Sequence, residues 1–109
     1  MRLLVGYISG LDLLVNNFKE ILNMGKYRKK PIMIEAVQWS GKNIKELSSF
    51  TGKDFYQKEV DIGTTDATVK TLEGELRAGQ FDYIIKGVKG EHYPCKPDIF
   101  NATYEKIEN

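Results

Sequence analysis

Asp82-Tyr83-Ile84-Ile85-Lys86-Gly87-Val88-Lys89-Gly90-Glu91-His92-Tyr93-Pro94-Cys95-Lys96-Pro97-Asp98-Ile99-Phe100-Asn101-Ala102-Thr103-Tyr104 is the stretch from which the fold is read. It holds the only His, the only Cys and two of the three prolines of the chain. Phe81–Lys86 is apolar and aromatic and reads as a strand; Gly87-Val88-Lys89-Gly90 turns it back; Glu91–Pro94 is its antiparallel partner. Pro97 stands where the first turn of a helix accepts a residue without an N–H. A short helix or 3₁₀ turn is expected through Ile99, Phe100 and Ala102–Tyr104. Thr103–Ile107 then ends the chain as a strand, expected to pair with Ile32–Trp39.

Working outward, Lys30-Pro31 stops any preceding helix. In Ile32–Trp39, Ile32, Ile34, Ala36 and Gln38 alternate with Met33, Glu35, Val37 and Trp39. Both sets are largely apolar, so this strand is expected to be central and covered on both faces. Ser40–Asn43 is a turn. Asn43 is a candidate N-cap with Glu46 three residues on, and Gly52 a candidate C-cap, which bounds a helix over Asn43–Thr51 with Ile44, Leu47 and Phe50 inward. Phe55, Tyr56 and Val60 suggest a short strand or a bent connection. Ala67–Leu72 and Glu75–Ala78 flank a tight turn at Glu73-Gly74. The expected fold is a small α+β domain: a mostly antiparallel sheet or half-open barrel of five to six strands with one short helix, plus an N-terminal amphipathic helix.

The 109 residues suit one domain with one core, and 28% charged with 41% hydrophobic residues is a globular balance. A net charge of +1 points to no strong field for nucleic acid or membrane. One Cys rules out an internal disulfide and any Cys-based metal cluster. Met24–Lys53 carries seven basic residues against Glu35 and Glu46, whereas from Asp54 onward eleven acids face seven bases. Residues 1–23 read as an N-terminal extension, with Leu11, Leu14, Phe18, Ile21 and Leu22 at helical spacing over Leu11–Asn23. Their apolar run is far shorter than the roughly 20 residues a membrane span needs. Met24-Gly25-Lys26-Tyr27 looks like a start of its own. Residues 24–109 are then the single α+β domain.

Candidate chemistry gathers in the opening stretch. Cys95 as nucleophile with His92 as base is disfavoured, because positions three apart in a strand face opposite ways. One His without a ligand motif makes a poor metal site. The amides of Gly87–Gly90 could cradle an anion beside Lys86, Lys89 and Lys96, although a plain hairpin turn is the simpler reading. Tyr83, His92 and Tyr93 with these lysines could stack on and neutralise a nucleotide or single strand. Trp39, Phe55, Phe81 and Phe100 are more simply core. The expected ligand- or partner-binding set is Lys26, Arg28, Lys29, Tyr83, Lys86, Lys89, His92, Tyr93 and Lys96, with no catalytic residues, metal or cofactor.

Lys26-Tyr27-Arg28-Lys29-Lys30-Pro31, Ile34-Glu35-Ala36 with Gln38-Trp39, Thr71-Leu72-Glu73-Gly74, and Asp82 through Glu105 together form a pattern. It resembles a group of small, uncharacterised proteins encoded by phages and prophages of Gram-positive bacteria. The resemblance covers roughly residues 24–107 and leaves residues 1–23 outside. Similar proteins carry Gly where Phe81 stands here, which suggests altered local geometry or an extra core anchor. The resemblance implies a non-enzymatic phage or prophage accessory protein in the cytoplasm of the bacterial host. It would bind a host or phage protein or a small nucleotide-like ligand, and interference with host defence is one purpose that such an origin suggests. The alternatives are a nucleic-acid-binding module, a small Cys/His hydrolase or a virion component. Exposed strand edges and the N-terminal helix make a homo-oligomer compatible with each.

Overall fold

A computed structural model describes residues 2–7 and 30–108, with side chains over 30–107. The chain runs β1 (Arg2–Tyr7), β2 (Met33–Gln38), α1 (Ile44–Thr51), β3 (Phe55–Tyr56), a 3₁₀ turn (Glu59–Asp61), β4 (Ala67–Thr71), β5 (Gly74–Ala78), β6 (Tyr83–Lys86), β7 (His92–Cys95), α2 (Pro97–Thr103) and β8 (Tyr104–Glu108). These elements make an α+β fold with two antiparallel sheets. One is built on β7-β6-β2 and continues through β1 to β8; the other has the order β3-β4-β5. The helix expected over Leu11–Asn23 lies outside the described residues.

The single sheet or half-open barrel of five to six strands is therefore corrected to two stacked sheets, and neither closes. The reason is occupancy of edges. β2 pairs with β6 on one side, from Glu35↔Lys86 to Gln38↔Tyr83, and with β1 on the other, from Arg2↔Val37 to Gly6↔Met33. β7 takes the free edge of β6. No ladder position is left beside β2 for β8, so β8 pairs with β1 and the expected pairing of the last strand with Ile32–Trp39 does not form. β1 itself comes from within residues 1–23. The β4–β5 hairpin, joined by the two residues Leu72 and Glu73, lies over the first sheet and pairs with β3.

Both faces of the paired β2 and β6 are buried, as the two-sided apolar pattern of β2 requires. On one side Val37, Trp39 and Ile84 meet Leu47 and Phe50 of α1 and Phe55, Ala67, Val69 and Ala78 of the smaller sheet. On the other side Ile34, Ala36 and Ile85 meet Phe100 and Tyr104, with Ile32, Tyr83, Tyr93 and Cys95 packed around them. Each fully buried isoleucine contributes about 1.5–3 kcal/mol. Trp39 and Phe55 meet edge to face with ring centroids 5.0 Å apart, a geometry worth about 0.5–1.5 kcal/mol beyond burial.

α1 is stopped by Gly52, whose left-handed backbone (φ +63°) is the C-cap its glycine suggests. Its start differs from the capping box expected. The Asn43 side chain caps no helical N–H; it accepts from Ser40 N and donates to Gln38 O and Glu46 Oε1, which ties the β2–α1 turn to β2. At the other end the Thr51 hydroxyl donates to Leu47 O and accepts from Phe55 N, so the helix is stitched to β3.

Phe81 corrects an expectation on two counts. It is 53% exposed, so it is no core anchor. Its φ is +73°, so the left-handed geometry that suits glycine is kept despite the bulky side chain. The backbone is clamped there: Phe81 N donates to Trp39 O at 2.6 Å, and Gln38 Nε2 donates to Phe81 O at 3.0 Å. We predict that Phe81→Gly raises the Tm while Phe81→Val lowers it, the two variants differing by about 1–2 kcal/mol in thermal denaturation.

Candidate functional site

The β6–β7 hairpin, which carries most of the expected binding residues, spreads them over different environments. Strand alternation sends Tyr83, Tyr93 and Cys95 into the core beneath α2, and His92 to the opposite face. The Tyr83 ring stacks on Phe100 at 3.8 Å between centroids and 7° between planes. Tyr93 is half-buried; burial first, and then the neighbouring Tyr104 hydroxyl, push its phenol well above the ordinary tyrosine range. Lys86 lies opposite His92 in the ladder, Lys89 is exposed on the turn, and Lys96 bridges to Asp82. Lys26, Arg28 and Lys29 lie outside the described residues. The described members of the expected set thus do not share one surface.

The turn that could have cradled an anion already holds one from the chain. Glu91 Oε1 accepts from Lys89 N at 2.9 Å, while Gly87 N donates to Glu91 O and Gly90 N to Gly87 O. The carboxylate folds down onto Gly87, where an added Cβ would stand 2.4 Å from Glu91 Oε1. A side chain at Gly87 would displace the Glu91 carboxylate, whereas the left-handed glycine of the turn is Gly90 (φ +80°).

His92 is buried against Phe50, and its Nδ1 lies 3.1 Å from Asp54 Oδ2. With the carboxylate accepting, Nδ1 is the donor, which leaves Nε2 as the other ring nitrogen. That Nε2 is buried and has no hydrogen-bond partner. Carboxylate–imidazole pairs of this form orient bases and metal ligands. Here the Nε2 is sealed from solvent, and no group of three or more His, Cys, Asp or Glu that could hold a metal ion exists among the described residues.

Cys95 faces away from His92. Burial raises its thiol pKa, with Asp82 and Asp98 adding to the effect, so the thiolate that a nucleophile needs is disfavoured. The raised value also means that stability from this group is complete below the unfolded thiol's pKa and is lost as pH rises through the folded one.

Asp82, 3% exposed, is the polar hub that sequence reasoning missed. Its Oδ2 accepts from Gly79 N at 2.9 Å and from Lys96 Nζ at 3.1 Å, so it closes the turn before β6 and tethers the residue before α2. The signal available was an Asp three residues after Gly79, within reach of the Gly79 amide across the turn that the Asp82 N to Gly79 O bond closes.

Recesses open on the surface of the described residues. A groove of about 340 Å³ lies between the β4–β5 turn and β7, lined by Thr71, Leu72, Glu73, Leu76 and Glu91–Pro94. Leu72 is 75% exposed at its rim and Leu76 is 42% exposed. A second cleft of about 310 Å³ is lined by amides and hydroxyls: Ser40, Gly41, Gln57, Thr64, Thr65 and Gln80, with Lys42 and the edge of Trp39. Its wall is pinned, because Trp39 Nε1 donates to Thr65 O and Gln57 Nε2 reaches the carbonyls of Asp61, Thr64 and Asp66. No helix among the described residues is long and apolar enough to cross a membrane.

Comparison with protein-family models, with curated proteins and with solved structures finds no match.

Three outcomes check this site. Asp82→Ala is expected to cost about 2–3 kcal/mol in denaturant unfolding, because it leaves the Gly79 amide unpaired. Lys96→Met, which leaves the buried Asp82 carboxylate without its cation, is expected to cost about 1–3 kcal/mol. Alkylation of native Cys95 by iodoacetamide at pH 8 is expected to run slower than that of the unfolded chain; equal rates would contradict a suppressed thiolate.

Proposed function

We propose that this chain is a non-enzymatic accessory protein of a phage or prophage, working in the cytoplasm of the bacterial host. It docks on a host or phage protein through the groove between the β4–β5 turn and β7. The observation that carries this reading is the exposed aliphatic rim, Leu72 and Leu76, standing over a recess large enough for side chains of a partner. The commitment of the reactive groups also supports it: the thiol is suppressed, the imidazole is sealed and the hairpin amides hold Glu91. Phage origin rests on the resemblance of residues 24–107, and interference with host defence is the purpose that this origin suggests.

A nucleotide-like ligand is the second reading, favoured by the amide-lined cleft beside Lys42. The stacking of Tyr83 on Phe100 counts against a single-strand platform on the β6–β7 sheet, since that ring face is already covered.

A photo-crosslinking residue at position 72, expressed in the bacterial host, tests docking. The expected result is an adduct with one partner protein that disappears on Leu76→Glu and is absent with the crosslinker at Lys106. Adducts from position 106 alone, or a small molecule in native mass spectrometry lost with Lys42→Ala, would move the reading away from this groove.

A further inference from the structure

The charges around the groove are one-sided. Its two charged lining residues are Glu73 and Glu91, and no lysine or arginine lines it. Four acids outside the groove have a basic partner: Glu75 with Lys58 at 3.2 Å, Asp66 with Arg77 at 2.6 Å, Asp82 with Lys96 at 3.1 Å and Asp54 with His92 at 3.1 Å. The Glu73 carboxylate makes no hydrogen bond or ion pair with a described residue, and the Glu91 carboxylate spends one oxygen on Lys89 N and keeps the other free. Leu72, Leu76 and Pro94 line the same groove as Glu73 and Glu91.

We infer that the groove takes a segment of a partner protein carrying a Lys or Arg flanked by aliphatic residues. This inference rests on the protein-docking reading and adds the chemistry of the docked segment. The aliphatic flanks cover Leu72 and Leu76, which removes apolar area from water. The cation sits between Glu73 and the free oxygen of Glu91, and the long apolar stem of Lys or Arg lies along Pro94. Arg fits better than Lys where one plane meets two carboxylates, because its donors are spread over a rigid fork. An acidic segment is rejected by the same pair.

The test is a titration of the ¹⁵N-labelled full chain with two synthetic peptides, acetyl-Leu-Arg-Leu-Arg-Leu-amide and its counterpart with Glu in place of Arg. The expected result is amide shifts gathered at Leu72, Glu73, Leu76, His92 and Tyr93 with the basic peptide and none with the acidic one. Glu73→Lys, at an exposed turn position, is expected to weaken the basic peptide about fivefold or more without changing the spectrum elsewhere. Equal shifts from both peptides would overturn the charge inference while leaving docking at the groove in place. Shifts from the basic peptide that fall outside the groove, or no shifts at all, would also overturn it; the docking reading is then judged separately by crosslinking from position 72.

Discussion

Four residue pairs, Glu35–Gln38 against Tyr83–Lys86, hold the molecule together. This ladder stands between two cores. Val37 and Ile84 project from it into one, and Ala36 and Ile85 into the other. Because strand side chains alternate, a register slip by one residue would exchange the two sets and unmatch both cores at once. Every other element is placed by what it covers: α1 and the smaller sheet close one face, α2 and Tyr104 the other. The trailing contacts of Trp39 extend the ladder, since Trp39 N donates to Asp82 O and Phe81 N to Trp39 O.

How much of this was legible in the sequence depends on the range of the deciding interaction. β2, β6, α1 and the proline-started α2 were legible because their signals are local: alternation on both faces, a helical apolar face, Gly52 and Pro97 at the ends. Phe55–Tyr56 was legible only as a short strand or a bent connection, and Val60, grouped with it, lies instead in the exposed 3₁₀ turn. The division into two sheets was not, because it depends on which strand wins each edge of β2, and that competition is decided by contacts across the whole chain. Thr103–Ile107 was rightly read as a strand but given the wrong neighbour, since β1 intervenes. Phe81 was misplaced because a large aromatic argues for burial, whereas the backbone at that turn fixes φ first and leaves the ring half outside.

The candidate site was legible only in part. Gly87–Gly90 was correctly read as a turn, and the sequence also permitted an anion there. What it did not reveal is that the anion is Glu91, whose carboxylate bends back over its own hairpin. His92 and Cys95 were correctly placed on opposite faces by strand periodicity. The partner of His92, Asp54, is 38 residues away and enters only through the packing of the α1–β3 turn against β7. The groove was out of reach for the same reason: its two walls are separated in sequence and meet because the smaller sheet is stacked on the larger one. A frame with two shared cores is what keeps those walls at a fixed distance, and a fixed recess suits docking better than one that must first be formed.

Amide hydrogen exchange of the full chain, followed residue by residue, tests that frame most directly. If one ladder supports both cores, the hydrogen-bonded amides of β2 and β6 exchange slowest and with a common free energy equal to that of global unfolding, while the Leu72–Glu73 and Val88–Gly90 turns exchange fastest. If β6 instead opened with β7 well below the global value while β2 stayed protected, the two faces would be independent units. The account of a single rigid frame holding the groove would then be wrong.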